Sequence, residues 1–319
     1  MNILVAMPTY EEHEIRLKKA CPEAAFTFLH GNRPEREQLE NAEIIIGNIP
    51  SGDLQYCRNL KFLQLSMAGS DTFAGKVPEN VLLANSSGAY GLAISEHMLG
   101  MLLMLTKKLY LYRDNQNEAV WHDEGNVTSI FGSRVMTVGL GDIGGEFAKR
   151  CKGLGAYNIG IRRTMRSCPE FMDEMHTLDE LDSLLPSADV VALALPNSEA
   201  SRHLMNEARL RSMKGGAILL NVGRGSAVDT DALVKVLNEG LIMAGIDVTD
   251  PEPLPKEHPL WHCPGIIITP HISGYYHLRH TQDTIIEIAA CNIENYMNGR
   301  PIRNLVDRIT GYRAVENRY

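Results

Sequence analysis

The segment Val138-Gly139-Leu140-Gly141-Asp142-Ile143-Gly144 decides the fold. A GxGxxG pattern stands here between the apolar run 135–138 and the helix-like stretch GEFAKRCKGLG, and the next apolar run, 158–161, closes a βαβ unit. The first two glycines let the backbone turn tightly and approach a pyrophosphate. The third lets helix and strand pack closely, and the helix N-terminus faces the phosphates. Gly139, Gly141, Asp142, Ile143 and Gly144 are therefore candidate dinucleotide contacts, the alternative being a glycine-rich turn without a ligand.

Working outward, further apolar runs at 190–194, 218–222, 244–248 and 266–269 bring this series to six strands. With interposed helices they suit a doubly wound parallel sheet made of two mononucleotide-binding halves. Toward the N-terminus, candidate strands at 3–7, 25–29, 44–47, 62–65 and 81–84 alternate with polar, helix-length segments such as 11–20 and 35–41. That is again a βα alternation and implies a second parallel sheet. Between the two series, Gly91 to about Arg113 reads as one helix, apolar on most faces through Leu92, Ile94, Met98, Leu99, Met101 and Leu105. Such a helix is buried on several sides, as a core helix or as one that also meets a second subunit. A last helix is expected over 281–298, stopped by Gly299-Arg300-Pro301, with Ile302 to Val306 as a tail that docks back.

The 319 residues exceed the usual size of one hydrophobic core, so two domains are expected. A formal charge of −8 makes the chain a poor phosphate-backbone binder, and no nucleic-acid partner is expected. The start, MNILVAMPTYEEHE, lacks a basic region and runs into acids, unlike a signal peptide, and MLGMLLMLT is too short to span a bilayer. Cys21, Cys57, Cys151, Cys168, Cys263 and Cys291 are scattered without metal-ligand spacing. No metal is expected, and free thiols fit a cytoplasmic protein.

The end of the second strand of a dinucleotide fold usually carries an acid for the adenosine ribose. Here Ile161 is followed by Arg162, Arg163, Thr164, Met165 and Arg166, and no acid occurs between Glu146 and Glu170. A carboxylate would repel a 2′-phosphate, whereas guanidinium forks and a hydroxyl bind one, so NADP is expected in preference to NAD. The alternative is a solvated basic turn.

Three more strands of this series end in chemistry-bearing loops. Residues 218–222 run into Gly223-Arg224-Gly225, 244–248 into Thr249-Asp250-Pro251-Glu252, and 266–269 into Pro270-His271-Ile272-Ser273-Gly274. Ligands of open α/β sheets bind beyond the carboxyl ends of the strands. An anion clamp, an acid able to tune a histidine and a proton carrier are thus expected beside the dinucleotide.

The segments VGLGDIG, ALPNSEASRHLMN, MKGGAILLNVGRG, GIDVTDPEPL and IITPHISG resemble the D-isomer-specific 2-hydroxyacid dehydrogenase family, and its NADP-preferring glyoxylate/hydroxypyruvate reductases in particular. The resemblance is strong over about 130 to 275 and weaker in 1–88. It implies an α/β architecture: a Rossmann-type dinucleotide-binding domain over 89–275, and a flavodoxin-like substrate domain built from both chain ends, 1–88 and 276–319. It implies Arg224, Glu252 and His271 as catalytic residues. Leu195, Pro196, Ser201, Val222, Gly223, Arg224, His271 and Gly274 join the cofactor contacts, Arg224 and His271 would also meet the substrate, and Asp247 would meet the nicotinamide carboxamide. Ser66-Met67-Ala68-Gly69-Ser70 matches the loop whose Met67, Ala68 and Gly69 N–H groups hold the substrate carboxylate. The implied reaction is NADPH-dependent reduction of a small 2-keto acid to the D-2-hydroxy acid, or its reverse, in a cleft that closes against water, with a homodimer through the helix around Leu92 to Leu105. Formate dehydrogenase shares the fold but has Gln at the position of Glu252. Corepressors of this fold carry extra interaction segments that are not evident here.

Overall fold

A computed structural model describes residues 1–164, 167–308 and 312–313. Met165 and Arg166 of the expected basic turn lie outside the described residues. The chain divides into two compact units, one formed by residues 1–90 with the segment from Tyr276 onward, the other by Gly91–Tyr275.

In the first unit the strands are β1 (Asn2–Ala6), β2 (Ala25–Phe28), β3 (Ile44–Gly47), β4 (Phe62–Gln64) and β5 (Leu82–Ala84), with helices α1 (Glu11–Ala20), α2 (Arg36–Asn41) and α3 (Asp71–Ala74) between them. They pair in the order β2-β1-β3-β4-β5, all parallel, the flavodoxin-like arrangement. Every residue of β3, IIIG, is buried, as a central parallel strand covered on both faces requires.

The second unit opens with α4 (Gly91–Thr106) and α5 (Leu109–Asn117). The single helix expected from 91 to about 113 is thus two, because Lys108 adopts a left-handed φ of 54° and breaks the hydrogen-bond ladder. The strands that follow are β6 (Arg134–Val138), β7 (Tyr157–Arg162), β8 (Glu174–Thr177), β9 (Val190–Leu193), β10 (Ile218–Asn221), β11 (Met243–Ile246) and β12 (Ile266–Ile268). They alternate with α6 (Asp142–Gly153), α7 (Leu181–Leu184), α8 (Glu207–Ser212) and α9 (Thr230–Asn238). The parallel order is β8-β7-β6-β9-β10-β11-β12, in which the strand order reverses between β6 and β9. Among the described residues seven strands pair in this sheet where six were expected. The unexpected one is β8, EMHT, an edge strand of half-buried polar residues with no apolar run to announce it.

Beyond the second crossover, α10 (Arg279–Met297) packs on α1 and joins the two chain ends within the first unit. Arg16 grips Glu287 with two nitrogens at 2.7 and 2.8 Å and Glu294 with a third at 2.9 Å. The tail docks where Asn304 accepts from the Asn85 N–H and Leu305 bridges Ala84. Among the described residues no helix is long and apolar enough to cross a membrane.

Candidate active site

At the carboxyl end of β6 the glycines divide their tasks. Gly139 has φ +97°, and a side chain there would meet the Ala194 carbonyl at 2.6 Å. At Gly144 a Cβ would lie 2.0 Å from the Gly139 carbonyl, so α6 can sit on this turn only with a glycine. Above Gly141 there is open space, with no atom within 4 Å of where a Cβ would stand. Two glycines are consumed by the turn itself, and the third leaves its face clear, as a pyrophosphate over the N-terminus of α6 requires. The residues present therefore fit a dinucleotide. The exposed Asp142 accepts the Gly91 N–H at 2.8 Å and ties α4 to this turn, while Ile143 is half-buried.

Arg162 and Arg163 separate at the end of β7. Arg162 is half-buried and donates from Nη2 to the Leu140 carbonyl at 2.7 Å, holding the middle of the glycine loop. Arg163 and Thr164 are exposed. After β9, Leu195 is half-buried and Pro196 exposed; the Ser201 hydroxyl donates to the Pro196 carbonyl at 2.7 Å and closes that loop on itself.

Beyond β10, Asn221 shapes the turn that carries Arg224. Its Oδ1 accepts from the Gly223 N–H at 3.1 Å and its Nδ2 donates to the Arg224 carbonyl at 2.9 Å. Val222 and Gly223 are buried beneath, and Arg224 donates from Nη1 to the Gly223 carbonyl at 2.8 Å. A Cβ on Gly225 would lie 1.9 Å from the Thr249 carbonyl, so the loops after β10 and β11 touch backbone to backbone.

The loops after β11 and β12 meet through their side chains. His271 Nδ1 lies 2.6 Å from Glu252 Oε1, and both side chains are close to half exposed. A carboxylate can only accept, so Nδ1 carries the proton and Nε2 is left for another partner. Asp247, 1% exposed, holds the histidine's turn. Its Oδ1 accepts from Thr269 Oγ1 at 2.6 Å and the Ile272 N–H at 3.0 Å, and its Oδ2 accepts from the Ser273 N–H at 3.1 Å. The Ser273 hydroxyl adds a fourth bond at 2.5 Å, and the Asp247 carbonyl takes the His271 N–H at 2.8 Å. These bonds support a left-handed φ of 53° at His271. Asp247, assigned by resemblance to the nicotinamide carboxamide, thus has both carboxylate oxygens committed to the 269–273 turn. Gly274 follows it, half-buried. Sequence reasoning missed Asn221 and Thr269, whose only signal is a polar residue at the very end of an apolar strand.

The first unit carries the remaining candidate loop. After β4, the Ser66 carbonyl accepts from Tyr90 Oη at 2.6 Å, the Met67 carbonyl from the Ser86 N–H at 2.9 Å and the Ala68 carbonyl from Asn85 Nδ2 at 2.7 Å. In a trans peptide the C=O and the next N–H point opposite ways. Fixing three successive carbonyls on the protein turns the Met67, Ala68 and Gly69 N–H groups away from those donors, and none of the three donates to another described residue. Such a row can receive an anion.

Comparison with known proteins gives the family. Residues 99–273, more than half of the chain, match the family model described as D-isomer specific 2-hydroxyacid dehydrogenase, NAD binding domain. A glyoxylate reductase of Pyrococcus horikoshii is 37% identical over 303 residues, covering 92% of this chain and 86% of its own. The crystal structure of a D-isomer specific 2-hydroxyacid dehydrogenase family protein from Aeromonas salmonicida superposes with a TM-score of 0.86 at 29% identity, over 96% of this chain and 99% of that one. A D-isomer specific 2-hydroxyacid dehydrogenase from Xanthobacter autotrophicus, solved with NADPH and MES, has a TM-score of 0.79 at 27% identity, over 97% and 99% of the two chains. With its glycine loop, its strand order and its matched segments all of one kind, the chain belongs to the D-isomer-specific 2-hydroxyacid dehydrogenase family, oxidoreductases that act on 2-hydroxy acids with a nicotinamide dinucleotide.

Proposed function

We propose that the protein reduces a small 2-keto acid such as glyoxylate or hydroxypyruvate with NADPH, giving the D-2-hydroxy acid. The observation that carries this reading is the 2.6 Å contact between His271 and Glu252. When bound, the dinucleotide supplies the hydride. His271 donates a proton from Nε2 to the developing alkoxide, and Glu252 on Nδ1 fixes the orientation of the ring. Arg224 polarises the carbonyl and, with the Met67, Ala68 and Gly69 N–H groups, takes the carboxylate. A glutamate at position 252 supports a proton-transferring reductase over formate oxidation, which needs no proton carrier.

The preference for the 2′-phosphate rests on Arg163 and Thr164, which are exposed beside Arg162 at the end of β7. It is supported by the NADPH complex of the Xanthobacter relative. The substrate class is supported by the glyoxylate reductase of Pyrococcus horikoshii. A homodimer is part of the proposal. Ile94, Met98, Met101, Leu102 and Leu105 of α4 are buried within their own unit, while Leu92, Leu99 and Leu103 form an incompletely covered stripe for a second copy. The six free cysteines, four of them buried, fit a cytoplasmic enzyme.

The test is the loss of reduced-nicotinamide absorbance with a panel of 2-keto acids, run with NADPH and with NADH. Turnover of a short keto acid with NADPH preferred is the expected result. Cofactor binding without turnover on any of them would instead favour a nucleotide-sensing protein.

A further inference from the structure

Ser66 stands at the head of the loop assigned above to the substrate carboxylate, and two tyrosines grip it. Tyr90 is the last residue of the first unit before the chain crosses to the second, and Tyr276 is the first residue after it returns. Tyr90 Oη donates to the Ser66 carbonyl at 2.6 Å, and Tyr276 Oη meets Ser66 Oγ at 2.5 Å. Asn48 Oδ1 accepts the Ser66 N–H at 3.3 Å, so the N–H, the carbonyl and the hydroxyl of this fully buried serine are all held.

We propose that Tyr90 and Tyr276 are positioning residues that aim the carboxylate-binding N–H row, acting through Ser66; the proposal rests on the loop's assignment to the substrate. The peptide linking Ser66 to Met67 is rigid and planar. A donor that holds the Ser66 carbonyl therefore sets the direction of the Met67 N–H, the first of the row. The hydroxyl pair with Tyr276 fixes the side of the same residue and resists rotation about its backbone. Burial pushes the Tyr90 phenol far above its ordinary range, so it stays a donor at any working pH. Both tyrosines lie at the crossovers, so the row is anchored to the two points where the chain passes between units rather than to the floor of the sheet alone.

A neutral substrate has no use for an anion row, and this separates positioning from general stability. Wild-type enzyme is compared on glyoxylate and on methyl glyoxylate, alongside Tyr276→Phe, Tyr90→Phe, Ser66→Ala and the Ser66→Ala/Tyr276→Phe double variant. Each single variant is expected to lose roughly three- to tenfold in kcat/KM on glyoxylate, chiefly through KM, as one hydrogen bond is worth. The ester rate and the affinity for NADPH, read by fluorescence titration, should stay unchanged. The double variant should be no worse than Tyr276→Phe alone, because the two hydroxyls act as one contact. If the wild type treats acid and ester alike, the loop assignment fails and the proposal with it. If the wild type prefers the acid and Tyr276→Phe keeps that preference, or slows acid and ester equally, the tyrosines do not aim the row.

Discussion

Asp247 and His271 are joined through the backbone rather than through their side chains: the His271 N–H donates to the Asp247 carbonyl at 2.8 Å, and the Asp247 carboxylate gathers the next two N–H groups. A buried carboxylate with four donors keeps a histidine in a left-handed conformation that its own side chain disfavours. Asp247→Ala leaves those donors without their acceptor, the two of Ser273 in a buried residue. We expect a loss of roughly 2–4 kcal/mol in urea unfolding and a fall in kcat out of proportion to any change in KM. Unchanged stability would mean that the turn holds itself.

His271→Asn removes the proposed proton carrier and keeps a polar side chain that reaches as far as Nδ1 but not Nε2. Turnover should fall by about two to four orders of magnitude, the usual scale of general acid catalysis. Affinity for NADPH should persist. Near-normal turnover would remove His271 from the chemistry.

Arg224→Lys keeps the charge and loses the planar fork. The Lys variant should show a raised KM for keto acid together with a lowered kcat, since the guanidinium is assigned to both carboxylate and carbonyl. An unchanged KM would take Arg224 out of the substrate site.

The two arginines after Ile161 should respond differently. Arg163→Ala is expected to lower kcat/KM for NADPH by roughly tenfold while leaving NADH almost untouched, as the loss of one charge-assisted contact implies. Arg162→Ala removes the bond to the Leu140 carbonyl and should weaken both dinucleotides. Steady-state kinetics with each cofactor decides this, and equal effects on the two cofactors from Arg163→Ala would reduce that residue to a solvated charge.

His176 offers a pH test of the edge strand. Its ring lies between Glu180 and Glu174, each at 2.9 Å, and hydrogen bonds to Glu180 and then Glu174 raise its pKa above the ordinary histidine value. The charged form is favoured in the folded chain, so its stabilisation is fully present below about pH 6.5 and is lost as pH rises through the raised folded value. His176→Gln should therefore lower Tm by about 1–3 °C near pH 5.5 and by less near pH 9, the small size reflecting solvent screening at this edge. A larger loss at the alkaline end would reverse the assignment.

The order of apolar runs and the glycine loop determined from sequence alone that two parallel α/β sheets would form, and which strand ends would bear Arg224, Glu252 and His271. Burial on both faces writes itself into a central strand as a continuous apolar run, so β3 and β10 are legible. An edge strand owes its pairing to a neighbour's backbone and carries no such mark, so β8 was not visible. Nor was the break at Lys108, since the apolar pattern runs on past it. Only the tertiary structure decided that Asp247 spends its oxygens on the histidine's turn, that Arg162 braces Leu140, and that Tyr90 and Tyr276 converge on Ser66. The physical reason is common to all of these. Each is a hydrogen bond between side chains or loops far apart in sequence, whose partners are chosen by the sheet's geometry and not by any local periodicity.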